Sequence, residues 1–189
     1  MDAIILYSGR ESFLMMEKVY NQDRALAKSL FITVRDIPYR IPLKFDDPNN
    51  SCHGKSILLN DLLKSYGYSS RIMLCTFKWS QLRIDDTCKS LVVKDMEYHY
   101  FIELNLDGRW IRLDTTIDSG LGKRLPVNDW DGKSDTKITV VPIRFLSEKE
   151  SSKIFRSSLS EKYFASKIKA NGSLYKRLNE VYENIRNQQ

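Results

Sequence analysis

Glu97-Tyr98-His99-Tyr100-Phe101-Ile102-Glu103-Leu104-Asn105-Leu106-Asp107-Gly108-Arg109-Trp110-Ile111-Arg112-Leu113-Asp114-Thr115 is the stretch that decides the fold. Two runs rich in β-branched and aromatic residues flank an Asp-Gly pair, the preferred filling of a two-residue hairpin turn. Such a turn sets the register. Leu106 pairs with Arg109, Asn105 with Trp110 and Glu103 with Arg112, which carries Phe101 to Asp114 and His99 to Thr116. Side chains alternate between faces. Tyr98, Tyr100, Ile102, Leu104, Ile111 and Leu113 then form a core face. His99, Phe101, Glu103, Trp110, Arg112 and Asp114 share the other. His99 and Asp114 become diagonal neighbours, close enough for the carboxylate to accept from the imidazole. A one-residue slip would send Asp114 to the opposite face.

Upstream, the pattern predicts a short helix from Ser12 to about Tyr20. A second runs from Arg24 to about Arg35, behind a cap in Asn21-Gln22-Asp23, with Leu26, Leu30 and Val34 on one side. Pro38 and Pro42 extend the chain, and Asp46-Asp47-Pro48-Asn49-Asn50 is a turn cluster. A third helix follows, capped by Asn50 or Ser51. Ile57, Leu58, Leu59, Leu62, Leu63 and Tyr66 form its apolar stripe, and Gly67 stops it. Ser70–Phe77 reads as a buried strand, 79–95 as an irregular polar loop over a cleft, and Thr136–Ile143 as another strand. The chain turns helical again from about Ser147. Asn171-Gly172 interrupts that region, and Leu174, Leu178, Val181 and Ile185 line the last helix. Helices, then strands, then helices make an α+β fold with a mostly antiparallel sheet.

The composition fits a globular chain, with 42% hydrophobic and 29% charged residues. No apolar run approaches the ~20 residues of a spanning helix, and the N-terminus lacks the pattern of a signal peptide. The expectation is a cytoplasmic protein. The three cysteines, at 52, 75 and 88, form neither a disulfide framework nor a Cys-x-x-Cys site. The net charge is +6, and residues 144–189 hold 10 Lys or Arg against 5 Asp or Glu. Acids are scattered among these bases without an aromatic platform, so a solvated helix face is expected and no nucleic-acid partner. No membrane partner is expected.

A nucleophilic thiol needs stabilisation of its thiolate, a base within reach, and a group that orients the base. Cys52 falls in the first turn of the third helix, where partial positive charge and unpaired N–H groups stabilise a thiolate and an adjacent oxyanion. Cys75 sits in an apolar strand and Cys88 in a polar loop. Gly54-Lys55-Ser56 has the end of a phosphate-binding loop, but Asn49 stands where that motif needs Gly. Two histidines and no ligand pair at suitable spacing argue against a zinc site. No cofactor and no metal are expected.

The order Cys52, His99, Asp114 resembles the transglutaminase-like superfamily, a branch of the papain-like fold. The likeness runs from about Ala25 to Thr116. Residues Ala25–Tyr39 look like the helix and exit before the family's nucleophile. Cys52 to Arg71 looks like its Cys helix ending in Gly before a strand. Tyr98–Leu104 looks like its His strand, and Asp107–Thr116 like its Gly-x-Trp strand ending in Asp. Phe101 replaces an aromatic that is often Trp, and His53 stands where Gly is common. The resemblance implies a Cys52–His99–Asp114 triad, with the catalytic Cys at a helix start packed on an antiparallel sheet. It implies a catalytic domain over 1–146; the helical extension over 147–189 lies outside the likeness, and its apolar stripe is expected to pack on the domain, with a dimer or partner helix as the alternative. His53, Tyr39 and Trp110 are candidate oxyanion or substrate contacts. The implied activity is hydrolysis of a peptide or other amide bond in a peptide or protein substrate through a thioester. Alternatives are a protein-glutamine amine transferase and a non-catalytic binding module on the same fold. The oligomeric state is left open.

Overall fold

The computed structural model describes residues 23–188; the helix expected over Ser12–Tyr20 and the cap residues Asn21 and Gln22 lie outside them. Helix α1 covers residues 23–35. Its buried stripe is Ala27, Phe31 and Val34, with Leu30 alongside. Leu26 is only half-buried, so the face is turned by about one residue from the expected one. The Phe31 ring, 5.8 Å from that of Trp130, sets the turn.

Helix α2, Cys52–Ser65, inserts Leu59 and Leu63 into the same cluster as α1. Gly67 ends it with φ +84°, a conformation that favours glycine. The expected wide stripe is narrower in the structure. Leu58 and Tyr66 are 40% and 58% exposed, and polar Lys55, Ser56 and Asn60 are buried instead.

The sheet is antiparallel with order β3-β2-β1-β4, where β1 is Ser70–Lys78, β2 Met96–Leu106, β3 Arg109–Leu113 and β4 Arg144–Phe145. The β2–β3 hairpin has the predicted register, from Leu106↔Arg109 to Ile102↔Leu113. Asp107 and Gly108 both take positive φ, 55° and 77°, as a tight hairpin turn demands. One face packs Ile102, Leu104, Ile111 and Leu113 against α1 and α2. The other shares a cluster of Met73, Cys75, Phe77 and Phe101 with Leu174, Tyr175 and Leu178 from the C-terminal helix.

The strand expected over Thr136–Ile143 is absent. This segment crosses the sheet rather than running beside a strand. Thr136 N–H donates to the Arg112 carbonyl on β3, and Ile143 N–H donates to Thr76 on β1. Only β4 then pairs, with Cys75 and Thr76. Within 79–95, a 3-10 turn (Trp79–Gln81) and the short helix α3 (Asp86–Lys89) replace a plain loop, and Cys88 lies in that helix, fully buried.

Helix α4, Glu148–Ser158, starts with a reciprocal Ser147–Glu150 capping box. Helix α5, Glu161–Asn187, bends at Asn171, whose φ of −132° is non-helical. The break expected at Asn171-Gly172 is thus a kink in one helix. Among the described residues no helix is long and apolar enough to cross a membrane.

Two adjacent leucines of α2 test this packing. Leu59→Ala should cost roughly 2–5 kcal/mol in urea unfolding, and Leu58→Ala under about 1 kcal/mol. Equal costs would contradict the orientation of the helix.

Candidate active site

Asp114 follows β3 and is 1% exposed. A buried carboxylate requires donors, and three converge on it. His99 Nε2 lies 2.8 Å from Oδ2. Thr139 N–H donates to Oδ2 at 2.7 Å, and Thr116 N–H to Oδ1 at 2.9 Å. The Asp114 backbone is also held, its N–H by Thr136 Oγ1 and its carbonyl by Asn128 Nδ2. Burial alone would raise the Asp114 carboxyl; the His99 charge and these donors outweigh it and bring it to about 2.

His99, 2% exposed, sits opposite Cys75 on β1. Burial alone would lower its imidazolium. The charges of Asp114 and of a Cys52 thiolate, with hydrogen bonds to both side chains, raise it instead to about 10. With Nε2 committed to Asp114, Nδ1 is the nitrogen left for Cys52. The structure therefore brings Cys52, His99 and Asp114 together.

Cys52 is half-buried at the first position of α2. Ser51 occupies the N-cap position, as anticipated, but makes no side-chain cap. Its hydroxyl donates to Asn49 Oδ1 at 2.7 Å. The helical ladder begins with Lys55 N–H to the Ser51 carbonyl, so the N–H groups of Cys52, His53 and Gly54 precede it. No acidic residue stands in the first turn. The positive end of the helix is left to whatever forms beside the sulfur. Gly54 makes this turn possible: a Cβ there would lie 1.7 Å from the Asn49 carbonyl oxygen.

The other candidates divide. The Tyr39 ring lines the same cleft as Cys52. Its backbone is pinned by Asp118 Oδ2, which accepts from its N–H, and by Arg186, which donates to its carbonyl. Burial and the Cys52 charge push its phenol well above the ordinary value, so it stays protonated at neutral pH. His53 also lines the cleft, but both of its ring nitrogens are engaged by neighbours. Asn49 Nδ2 and His53 Nδ1 are 3.0 Å apart and Ser158 Oγ is 2.9 Å from Nε2. Because Ser158 donates its own proton to the Phe155 carbonyl, Nε2 carries the His53 proton and Nδ1 accepts. Burial lowers this imidazole to about 4. Trp110 is a correction. It shares a face with Asp114 but lies four residues back, ~13 Å along the strand, at the turn end of the hairpin. There it is 37% exposed beneath the Arg71 guanidinium at 3.9 Å, and it does not line the cleft.

The cleft has a volume of about 300 Å³ and lies between the triad and α5. Ile41, Phe45, Phe77, Phe164 and Ile168 give it apolar walls, and Trp79 and Leu82 come from the segment expected to overlie it. Sequence reasoning missed Lys55. Its Nζ is buried and donates to the carbonyls of Arg35, Thr115 and Thr116 at 2.8–3.2 Å, tying α2 to the backbone just beyond Asp114. It also missed Thr139, Glu97 and Lys167. The Thr116 contact was readable, since an Asp commonly accepts from the N–H two residues on. Among the described residues no three His, Cys, Asp or Glu side chains gather as a metal-binding group.

The chain has two histidines, and their environments displace them in opposite directions. Between pH ~4 and ~6.5 the unfolded chain binds the His53 proton and the native state does not, so this group makes stability rise with pH. Between ~6.5 and ~10 the native state alone holds the His99 proton, so its contribution falls as pH rises. Imidazole NMR should show neither ring titrating between about pH 5.5 and 8.5. A native ring titrating near 6.5 would contradict the pairing. Compared with protein-family models, curated proteins and solved structures, the chain matches none.

Proposed function

We propose that the chain is a thiol-dependent acyl-transfer enzyme on a transglutaminase-like, papain-like fold. It hydrolyses a peptide or other amide bond through a Cys52 thioester. The observation that carries this reading is the buried His99–Asp114 pair turned toward Cys52 at the uncapped start of a helix. The catalytic unit comprises residues 1–146, and the extension 147–189 supplies one wall of the cleft. Three free cysteines suit a reducing, cytoplasmic setting.

The Cys52 thiolate attacks the amide carbonyl carbon. The oxyanion meets the first-turn N–H groups of α2, with the protonated Tyr39 phenol as a candidate side-chain donor. The imidazolium of His99 gives its proton to the leaving amine as the C–N bond breaks, leaving a thioester. Neutral His99 then takes a proton from water, whose oxygen attacks the thioester. The acid departs, and the thiolate–imidazolium pair is restored. Asp114 holds the ring so that Nδ1 faces the sulfur and stabilises the imidazolium. An amine in place of water would make the same site a transferase.

The three cysteines provide internal controls. Burial, with the charges of Asp114 and Cys52, pushes Cys75 up to about 12, and burial also raises Cys88. Iodoacetamide, followed by mass spectrometry at each cysteine, should modify Cys52 at least ~10-fold faster than either. The rate at Cys52 should fall about 10-fold in His99→Ala. If Cys52 reacts no faster than Cys88 and ignores His99, the non-catalytic binding module replaces the enzyme. Ammonia release from glutamine peptides, with or without incorporation of an added amine, separates transferase from hydrolase.

A further inference from the structure

The cleft is apolar along most of its wall, yet away from His99 it contains one further cationic group. Lys167, on α5, is the one Lys or Arg among its lining residues. Its Nζ pairs with the Glu97 carboxylate, and its side chain is 18% exposed. Glu97 is already well supplied with donors. Oε1 also accepts from Tyr98 N–H, and Oε2 lies 3.3 Å from the Tyr175 hydroxyl. Lys167 is not. An ammonium has three N–H groups, and Glu97 takes one. The rings of Tyr163 and Tyr98, 5.4 and 5.9 Å away, steady the cation without accepting a hydrogen bond in its plane.

A second donor stands nearby. Trp79 lines the cleft and is 7% exposed, and its indole Nε1–H has no acceptor among the described residues. Its ring packs 6.1 Å from Tyr175, the residue whose hydroxyl reaches Glu97. A buried donor without an acceptor is costly. Two under-used donors, one of them charged, at the α5 side of an apolar cleft suit an anionic acceptor brought by the ligand. Charge-assisted hydrogen bonds to a carboxylate are the strong kind.

We propose that the cleft recognises its substrate by a free carboxylate received by the Lys167 ammonium and the Trp79 indole N–H, so that the substrate is a short N-acyl amino acid or peptide with an apolar residue beside that carboxylate. This rests on the thiol-enzyme reading above. The volume of about 300 Å³ is at the small end for ligand sites and fits one or two residues rather than an extended chain.

The test uses the full chain and a matched pair of affinity reagents, N-bromoacetylphenylalanine and its amide. In each, the Cys52 thiolate displaces bromide and forms a thioether. The carboxylate reagent should react with Cys52 about 10-fold faster than the amide. That ratio should collapse in Lys167→Met, persist in part in Lys167→Arg, and shrink in Trp79→Phe. The His99 imidazolium also favours the acid, but equally in all these variants, so the change between them isolates the anchor. The same ratio in the native protein and Lys167→Met would overturn the proposal. One measurement needs no variant: N-acetylphenylalanine should protect Cys52 from iodoacetamide and its amide should not, and equal protection would also overturn the proposal. If Cys52 is no more reactive than Cys88 toward neutral iodoacetamide, the thiol reading itself fails and this inference falls with it.

Discussion

A carboxylate removed from water must be surrounded by donors, and the Asp114 side chain imposes that demand on the middle of the chain. Its partners come from three places: His99 on β2, Thr116 just beyond β3, and Thr139 on the crossing segment. Each is a separate stretch of sequence obliged to arrive at one point. The crossing segment gives up strand pairing to do so, since Thr139 spends its N–H on a side chain. What could have been a longer sheet becomes a short β4 and a strap across it. The His99 cation belongs to the same arrangement, because neither member of the pair is tolerable there without the other.

The thiol's position follows from a second set of constraints. Ser51 turns its hydroxyl back to Asn49, and Gly54 lets the Asn49 carbonyl approach the helix. The first turn of α2 is thereby left open on the side of the sulfur. Lys55 fastens this helix to the carbonyls that follow Asp114. The two halves of the site are thus linked by a buried ammonium, and burial lowers that ammonium to about 8 against the pull of nearby acids. The sheet edges are closed by the same economy of small polar groups. Ser151 accepts from Leu74 N–H on one side, and Asp135 from Arg112 N–H on the other, which leaves little open edge for strand addition.

The parts of this arrangement visible in the sequence are those governed by local rules. A two-residue Asp-Gly turn determines pairing, pairing determines parity, and parity put His99 beside Asp114 without any knowledge of the rest. Cys52 at a helix start followed from the Asn49-Asn50-Ser51 punctuation and the leucines after it. The errors share a different cause. Residues 136–143 are rich in β-branched types and read as a strand, but their hydrogen bonds are claimed by distant groups. Parity also put Trp110 on the correct face, but parity says nothing about distance along a strand. Buried Lys55 and Cys88 sit among polar neighbours, so hydropathy gave no hint of either. The Lys167–Glu97 pair joins positions seventy residues apart, and no local pattern announces it.

The kink at Asn171 has a consequence for how the molecule is made. That side chain accepts from the N–H groups of Val93 and Lys94 and donates to the Lys94 carbonyl, so it acts as a surrogate strand for a loop nearly eighty residues earlier. The wall of the cleft depends on it, for Tyr163, Lys167 and Tyr175 lie on the same helix. On the ribosome, residues are released in order from the N-terminus. Cys52, His99 and Asp114 therefore emerge well before the helix that encloses them. A nascent chain stalled short of residue 160 holds all three groups but lacks the α5 wall of the cleft, and the thiol is enclosed only after α5 emerges and docks.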